Sequence, residues 1–132
     1  MFTCEASSQA SPAEAWELLA RPDRWHEWAP HVRGAWGLGE PEVQEGRRGY
    51  ARLMGVLPVP ARVTEVREGS SWTWQVGPAL MAHRVEECPD GCLVAVDIEA
   101  PAPLEAALRA LYGPLVERLL ARLAEKAASR TQ

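Results

Sequence analysis

The chain has no long apolar run, no block of like charge and almost no lysine. Its uninterrupted apolar stretches are a few residues long, far short of the roughly 20 that cross a bilayer as a helix. Residues 1–10 have neither the basic start nor the apolar core of a secretory signal. A cytoplasmic protein that does not span the membrane is therefore expected. Acidic and basic residues are interspersed, with 18 Asp+Glu against 14 Lys+Arg and a net charge of −4. With no basic run and no basic-aromatic face, nucleic acid is not expected as a partner. The single lysine among 13 arginines is a compositional bias without functional weight.

Metal and redox chemistry are equally short of raw material. The three cysteines are Cys4, Cys88 and Cys92, and free thiols are the expectation. Cys88 and Cys92 flank Pro89-Asp90-Gly91, so an adventitious disulfide across that hairpin is conceivable. Neither has a histidine or third cysteine nearby in sequence, so no metal site and no cofactor are expected. His26-Glu27-Trp28-Ala29-Pro30-His31 misses the zinc protease signature, because its histidines are five apart and Pro30 breaks the helix that must present them. Gly34, Gly37 and Gly39 lack the lysine and the strand-to-helix setting of a phosphate loop. No serine sits in a nucleophile elbow, and no acidic pair has the context for glycoside hydrolysis.

What is present is pattern. At 132 residues, 47% hydrophobic and 24% charged, the chain is expected to form one domain over 1–132, burying about two-thirds of its unfolded surface. Phe2, Cys4 and Ala6 alternate with polar residues as a first strand. Ser11-Pro12-Ala13-Glu14 is a helix start, with Ser11 as cap and Glu14 in capping-box position. Ala15, Trp16, Leu18 and Leu19 form the apolar face, and Arg21-Pro22 ends it. Asp23 to Glu27 fits one or two further helical turns before Trp28-Ala29-Pro30. Val32, Trp36 and Leu38 share one parity and suggest a strand, followed by a loop over Gly39–Gly46. Strands are expected at Arg48–Val56, Val59–Arg67, Ser71–Val76, Leu80–Glu87 and Cys92–Glu99. Their separators, Leu57-Pro58, Glu68-Gly69-Ser70, Gly77-Pro78 and Pro89-Asp90-Gly91, are turn formers. Connections this short hold no crossover helix, so the sheet is antiparallel.

After Ala100-Pro101-Ala102-Pro103 comes a long helix. Leu104, Leu108, Leu111, Leu115, Leu119 and Leu123 recur every three or four residues, a single apolar stripe seeking a sheet. Pro114 interrupts it. A proline inside a helix deprives the carbonyl four residues back, that of Ala110, of its donor and costs ~3 kcal/mol. A kink or break is expected near Tyr112–Pro114, with a short segment from Pro103 and a main helix from Pro114. The main helix would carry Leu115, Leu119 and Leu123 into the sheet, and the first segment, with Leu104, Leu108 and Tyr112, would lie over a cavity mouth as a lid.

This order resembles the START-like superfamily, also called SRPBCC or helix-grip, and within it the polyketide cyclase/dehydrase-like group. The resemblance is carried by Ser11–Leu19, Trp25-His26-Glu27-Trp28-Ala29-Pro30, Arg62-Val63-Thr64-Glu65-Val66, Trp74, His83-Arg84-Val85-Glu86 and the step from Gly91 to Val96. It covers nearly the whole chain. It implies an α+β helix-grip fold: a curved antiparallel sheet of about six to seven strands around a long C-terminal helix, with two short helices after the first strand. It also implies an apolar cavity between sheet and helix, in a superfamily that binds lipids, polyketides, quinones or hormones and only sometimes catalyses.

Parity proposes the lining. Trp72, Trp74 and Val76 share a strand face, Trp36 shares one with Val32 and Leu38, and His83 shares one with Val85. Tyr50 and Arg52 share a face with Met54, where a bulge would reverse the parity. The candidate ligand-binding set is Trp36, Tyr50, Trp72, Trp74, His83, Leu108, Tyr112 and Leu115. The expected function is binding of a hydrophobic small molecule such as a lipid, quinone or polyketide. The alternatives are a cyclase or dehydratase in which His83 and Arg52 polarise a carbonyl and move a proton, and a protein-interaction module, which the short Gly39–Gly46 loop supports little. Either a monomer or a homodimer fits the sequence.

Overall fold

A computed structural model describes residues 1–28, 32–39, 42–53 and 57–131, with backbone only at 26, 32–36, 51–53, 57–59, 130 and 131. One sheet of seven strands organises it: β1 (Phe2–Ser8), β2 (Val32–Trp36), β3 (Arg48–Leu53), β4 (Leu57–Arg67), β5 (Ser71–Val76), β6 (Ala79–Cys88) and β7 (Gly91–Glu99). Their order is β1-β7-β6-β5-β4-β3-β2, with every neighbouring pair antiparallel. The first two strands thus lie at opposite edges. The chain passes between those edges through helix α1 (Pro12–Ala20) and a 3-10 segment (Pro22–Glu27). The fold is the α+β helix grip.

Helix α1 begins where its cap dictates. The Ser11 hydroxyl accepts the Glu14 amide at 3.3 Å, and Pro12 occupies the first turn. Its C-terminal carbonyls, which no helix can satisfy internally, find side-chain partners instead. The Leu18 carbonyl accepts the Trp28 indole N–H at 3.0 Å, and the Leu19 carbonyl accepts those of Trp25 and Trp72 at 3.0 and 3.2 Å. The Ala20 carbonyl accepts the Val43 amide at 2.9 Å. Residues 22–27 are 3-10 rather than α-helical, a tighter winding suited to a short connector.

Cross-strand rows build the inner face. Val63, Trp74, Met81, Ile98 and Phe2 pair successively across the sheet, and Val66, Trp72, His83, Val96 and Cys4 form the next row. Val63 and Val66 differ in parity, yet both belong to inward rows because the register shifts between Val63 and Glu65. The alternation expected for β7 holds, with Val94, Val96 and Ile98 all buried. Against this face pack α1 and α3 (Gly113–Thr131), the latter through Val116, Leu119, Leu120, Leu123 and Ala127.

Three expectations require correction. Leu57-Pro58 is not a turn. Leu53 pairs with Leu57, so the connection is residues 54–56, outside the described residues. Pro58 and Pro60 sit in β4 beyond the point where β5 pairing begins at Ala61. Their missing N–H groups therefore face no strand among the described residues, and the ladder loses nothing. The six leucines do not form one stripe. The helix is interrupted at Tyr112, with α2 (Ala102–Leu111) before it and α3 after it. No residue of α2 is fully buried and Leu111 is 82% exposed. The interruption resets the helical phase, so periodicity drawn through it misplaces side chains. The backbone bridges the interruption from both sides, Tyr112 N–H to the Leu108 carbonyl (2.8 Å) and Val116 N–H to the Tyr112 carbonyl (2.9 Å). Finally, Cys88 and Cys92 do not face each other. They pair with Gly91 and Glu87, Cys88 is exposed, Cys92 is buried and both are free. Among the described residues no helix is long and apolar enough to cross a membrane.

Candidate functional site

Between the inner face and the start of α3 lies a cavity of about 70 Å³, inside a cleft of about 580 Å³ that continues to solvent. β5 contributes Trp72 and Trp74, β6 Met81 and His83, and β7 Val96 and Ile98. The 3-10 segment and its C-terminal end supply Trp25 and Trp28. The helical side is closed by Tyr112, Val116, Leu119 and Leu120. Among the described residues no lining side chain is a carboxylate, ammonium or guanidinium.

The aromatic wall is ordered. Trp25 stacks on Trp72 at 5.6 Å and 9°, and Trp72 stacks on His83 at 3.9 Å and 7°. Trp74 stands edge-on to all three, at 5.5, 5.4 and 5.8 Å and 77°, 78° and 76°. Register explains the closest contact, since Trp72 and His83 are direct cross-strand partners. Offset stacks and edge-to-face pairs are the favoured aromatic geometries, so the wall is a rigid feature rather than a loose filling.

His83 is 7% exposed, and burial pulls its imidazole pKa down to about 4, against smaller upward pulls from the Trp72 carbonyl and Asp97. The ring is neutral at pH 7. Its Nδ1 lies 3.3 Å from the Trp72 carbonyl oxygen, which can only accept, so Nδ1 carries the proton. Burial likewise pushes the Tyr112 phenol up. Behind the sheet, Asp97 receives Arg84 Nε at 2.8 Å, Arg84 Nη2 at 3.3 Å and the Thr3 hydroxyl at 2.6 Å. The Arg84 hydrogen bonds hold its carboxyl below the usual range.

Of the residues singled out from sequence, Trp72, Trp74, His83 and Tyr112 come together at the cavity. Leu108 and Leu115 do not line it; both are half-buried and pack against the core, Leu108 because α2 lies outside the main helical phase. Tyr50 is 44% exposed and belongs to an open surface groove with Arg48, Pro60 and Arg62. There its neighbour Gly49 takes the inward parity. The side chains of Trp36 and Arg52 lie outside the described residues. Sequence reasoning missed Trp25, Trp28, Met81 and the α3 contributors. Met81 was legible as the same-face neighbour two residues before His83. The tryptophans were legible as donors close in sequence to the orphan carbonyls of α1.

Over residues 1–128 the chain matches the model of a family described as polyketide cyclase/dehydrase and lipid transport. Among curated proteins nothing matches. Among solved structures it is similar to a Mesorhizobium loti protein, with TM-score 0.78 at 14% identity over 99% of this chain and 98% of that one. It is similar also to a Bacillus halodurans protein, with TM-score 0.70 at 12% identity over 92% and 94%. Ara h 8.0201 is a third, with TM-score 0.66 at 10% identity over 97% of each chain. Likeness at these identities is likeness of fold.

Proposed function

The chain belongs to the polyketide cyclase/dehydrase and lipid transport family, and we propose that it binds an uncharged hydrophobic small molecule in the cavity between sheet and α3. The observation that carries this reading is the lining itself: aromatic walls, an aliphatic floor and, among the described residues, no charged side chain. A charged ligand group would lose its water there without a counter-charge. The lone titratable base of the wall, His83, is neutral and engaged with a backbone carbonyl, which suits a carrier better than an acid catalyst.

At about 70 Å³ the cavity is smaller than the roughly 300–1,000 Å³ of ordinary ligand sites. Lipids, quinones and polyketides therefore enter only if a wall moves. Helix α2 is the candidate lid. It has no fully buried residue, and it meets α3 at the interruption beside Tyr112, which lines the cavity. Native mass spectrometry of the purified protein, with thermal shift against lipids, quinones and aromatic polyketides, tests the reading. A ligand at a hundredfold excess over its Kd stabilises by ~2.7 kcal/mol, a Tm rise on the order of 10 °C for a chain of this size. No bound species and no shift across the panel would refute it.

A further inference from the structure

Buried indole N–H groups in native proteins have acceptors, and one without an acceptor calls for an explanation. Five tryptophan side chains are described in this fold, and four obey the rule. Trp16 donates to Glu42 Oε1 at 3.0 Å, while Trp25, Trp28 and Trp72 donate to the last carbonyls of α1. Trp74 Nε1 is buried and has no partner among the described residues. It belongs to a residue that lines the cavity, fixed by its register opposite Met81 and by its edge-on contacts with Trp72 and His83. The exception is therefore a residue of the cavity wall.

Resting on the reading that this cavity is the ligand site, we infer that Trp74 Nε1 is the ligand's hydrogen-bond donor. The site then selects uncharged ring compounds that carry a carbonyl or ether oxygen over hydrocarbons of the same shape. The ring is asked for by the aromatic lining, to which Trp25, Trp28, Trp74 and Tyr112 all contribute. The absence of charge is asked for by the lining. The oxygen is asked for by Trp74, because a hydrocarbon entering the cavity leaves the indole donor as unpaired as before. Tyr112 brings a hydroxyl to the wall, but a phenol both donates and accepts and so does not discriminate.

The matched pair 1-indanone and indane, alike except for the carbonyl, separates the possibilities in the wild-type protein. The indole N–H signals are followed by NMR with 15N labelling, and that of Trp74 is assigned by its loss in Trp74→Phe, or by through-space contacts if that variant does not fold. We expect 1-indanone to bind about tenfold more tightly than indane and to move the Trp74 indole proton downfield. Indane should leave that resonance in place. The preference should vanish in Trp74→Phe. Equal affinity of the two compounds with an unmoved Trp74 resonance would overturn the donor role while leaving apolar binding intact. Failure of both compounds to bind would take down the binding reading itself.

Discussion

His83 makes the sharpest energetic prediction, because its burial converts into a pH dependence of stability with a definite sign. In the unfolded chain an imidazole takes its proton near pH 6.5, whereas in the fold it does so only at about 4. The native state excludes a proton that the unfolded state accepts, so stability is full above about pH 6.5 and falls as the pH drops from there to about 4. Below that it is constant as far as this group is concerned. Each unit of difference is worth 1.36 kcal/mol, so the 2.5 units between 6.5 and about 4 amount to about 3 kcal/mol. Against a total stability of roughly 5–15 kcal/mol that is a large fraction. Asp97 acts in a separate window. Its carboxyl is held down by Arg84, so its contribution is present above the ordinary carboxylate range and is lost only as pH falls through its lowered pKa.

The perturbation is His83→Phe, which keeps a flat ring against Trp72 and cannot titrate. It costs about 1 kcal/mol at every pH, because the Trp72 carbonyl keeps its strand partner and loses only its side-chain donor. It also removes the pH slope attributable to position 83. Urea unfolding at half-unit steps from pH 4 to 7 measures both, with His26 and His31 common to the two proteins and cancelling in the difference. The wild type should lose about 3 kcal/mol more than the variant across that interval. Parallel pH profiles, or an NMR titration of His83 with its midpoint near 6.5, would refute the reasoning.

Gly91→Ala should destabilise by several kcal/mol: Gly91 has φ +148, and a Cβ there would overlap the Ser8 carbonyl oxygen where β7 meets β1. Chemical denaturation reads this directly. Trp28→Phe should cost about 1–3 kcal/mol more than Trp25→Phe in hydrogen bonding, because the Leu18 carbonyl loses Trp28 as its side-chain donor while the Leu19 carbonyl keeps that of Trp72. Equal unfolding free energies would show that indole capping of α1 contributes little. Pro114→Ala returns an N–H to the Ala110 carbonyl and should fuse α2 to α3, raising helical circular dichroism. By stiffening the lid it should slow ligand association measured by stopped-flow Trp fluorescence, and an unchanged rate would dismiss α2 as the gate.

The strands and their faces were legible because alternation is a local code. Trp72, Trp74 and His83 announced a shared inner surface through parity alone, and β7 displayed its buried row in full. What escaped is what parity and periodicity do not carry. The shift between Val63 and Glu65 changes which side chains face in without changing the residue pattern. Pro58 reads as punctuation in the sequence because its tolerance in a strand depends on β5 ending its pairing at Ala61, a tertiary fact. The leucine stripe failed at the one place where covalent chemistry warned that it would, since Pro114 resets the phase and leaves Leu111 in solvent. The small size of the cavity follows from how Trp25 and Trp28 fold back on α1, and no spacing rule encodes that.

The hydrogen bonds of the aromatic wall also decide which side of the cavity can give way. Trp25, Trp28 and Trp72 are tied to the carbonyls of Leu18 and Leu19, so displacing any of them breaks a buried bond at the end of α1. His83 is tied to Trp72 in the same way. Trp74 and Tyr112 carry no such bond among the described residues, and Tyr112 stands at the junction of two helices, one of which has no buried residue. Moving α2 trades half-buried contacts of Leu104 and Leu108 for solvent, whereas moving the sheet side sacrifices packing and hydrogen bonds together. On the reading proposed above, enlargement of the cavity would cost least through Tyr112 and α2, with the stack opposite keeping its shape.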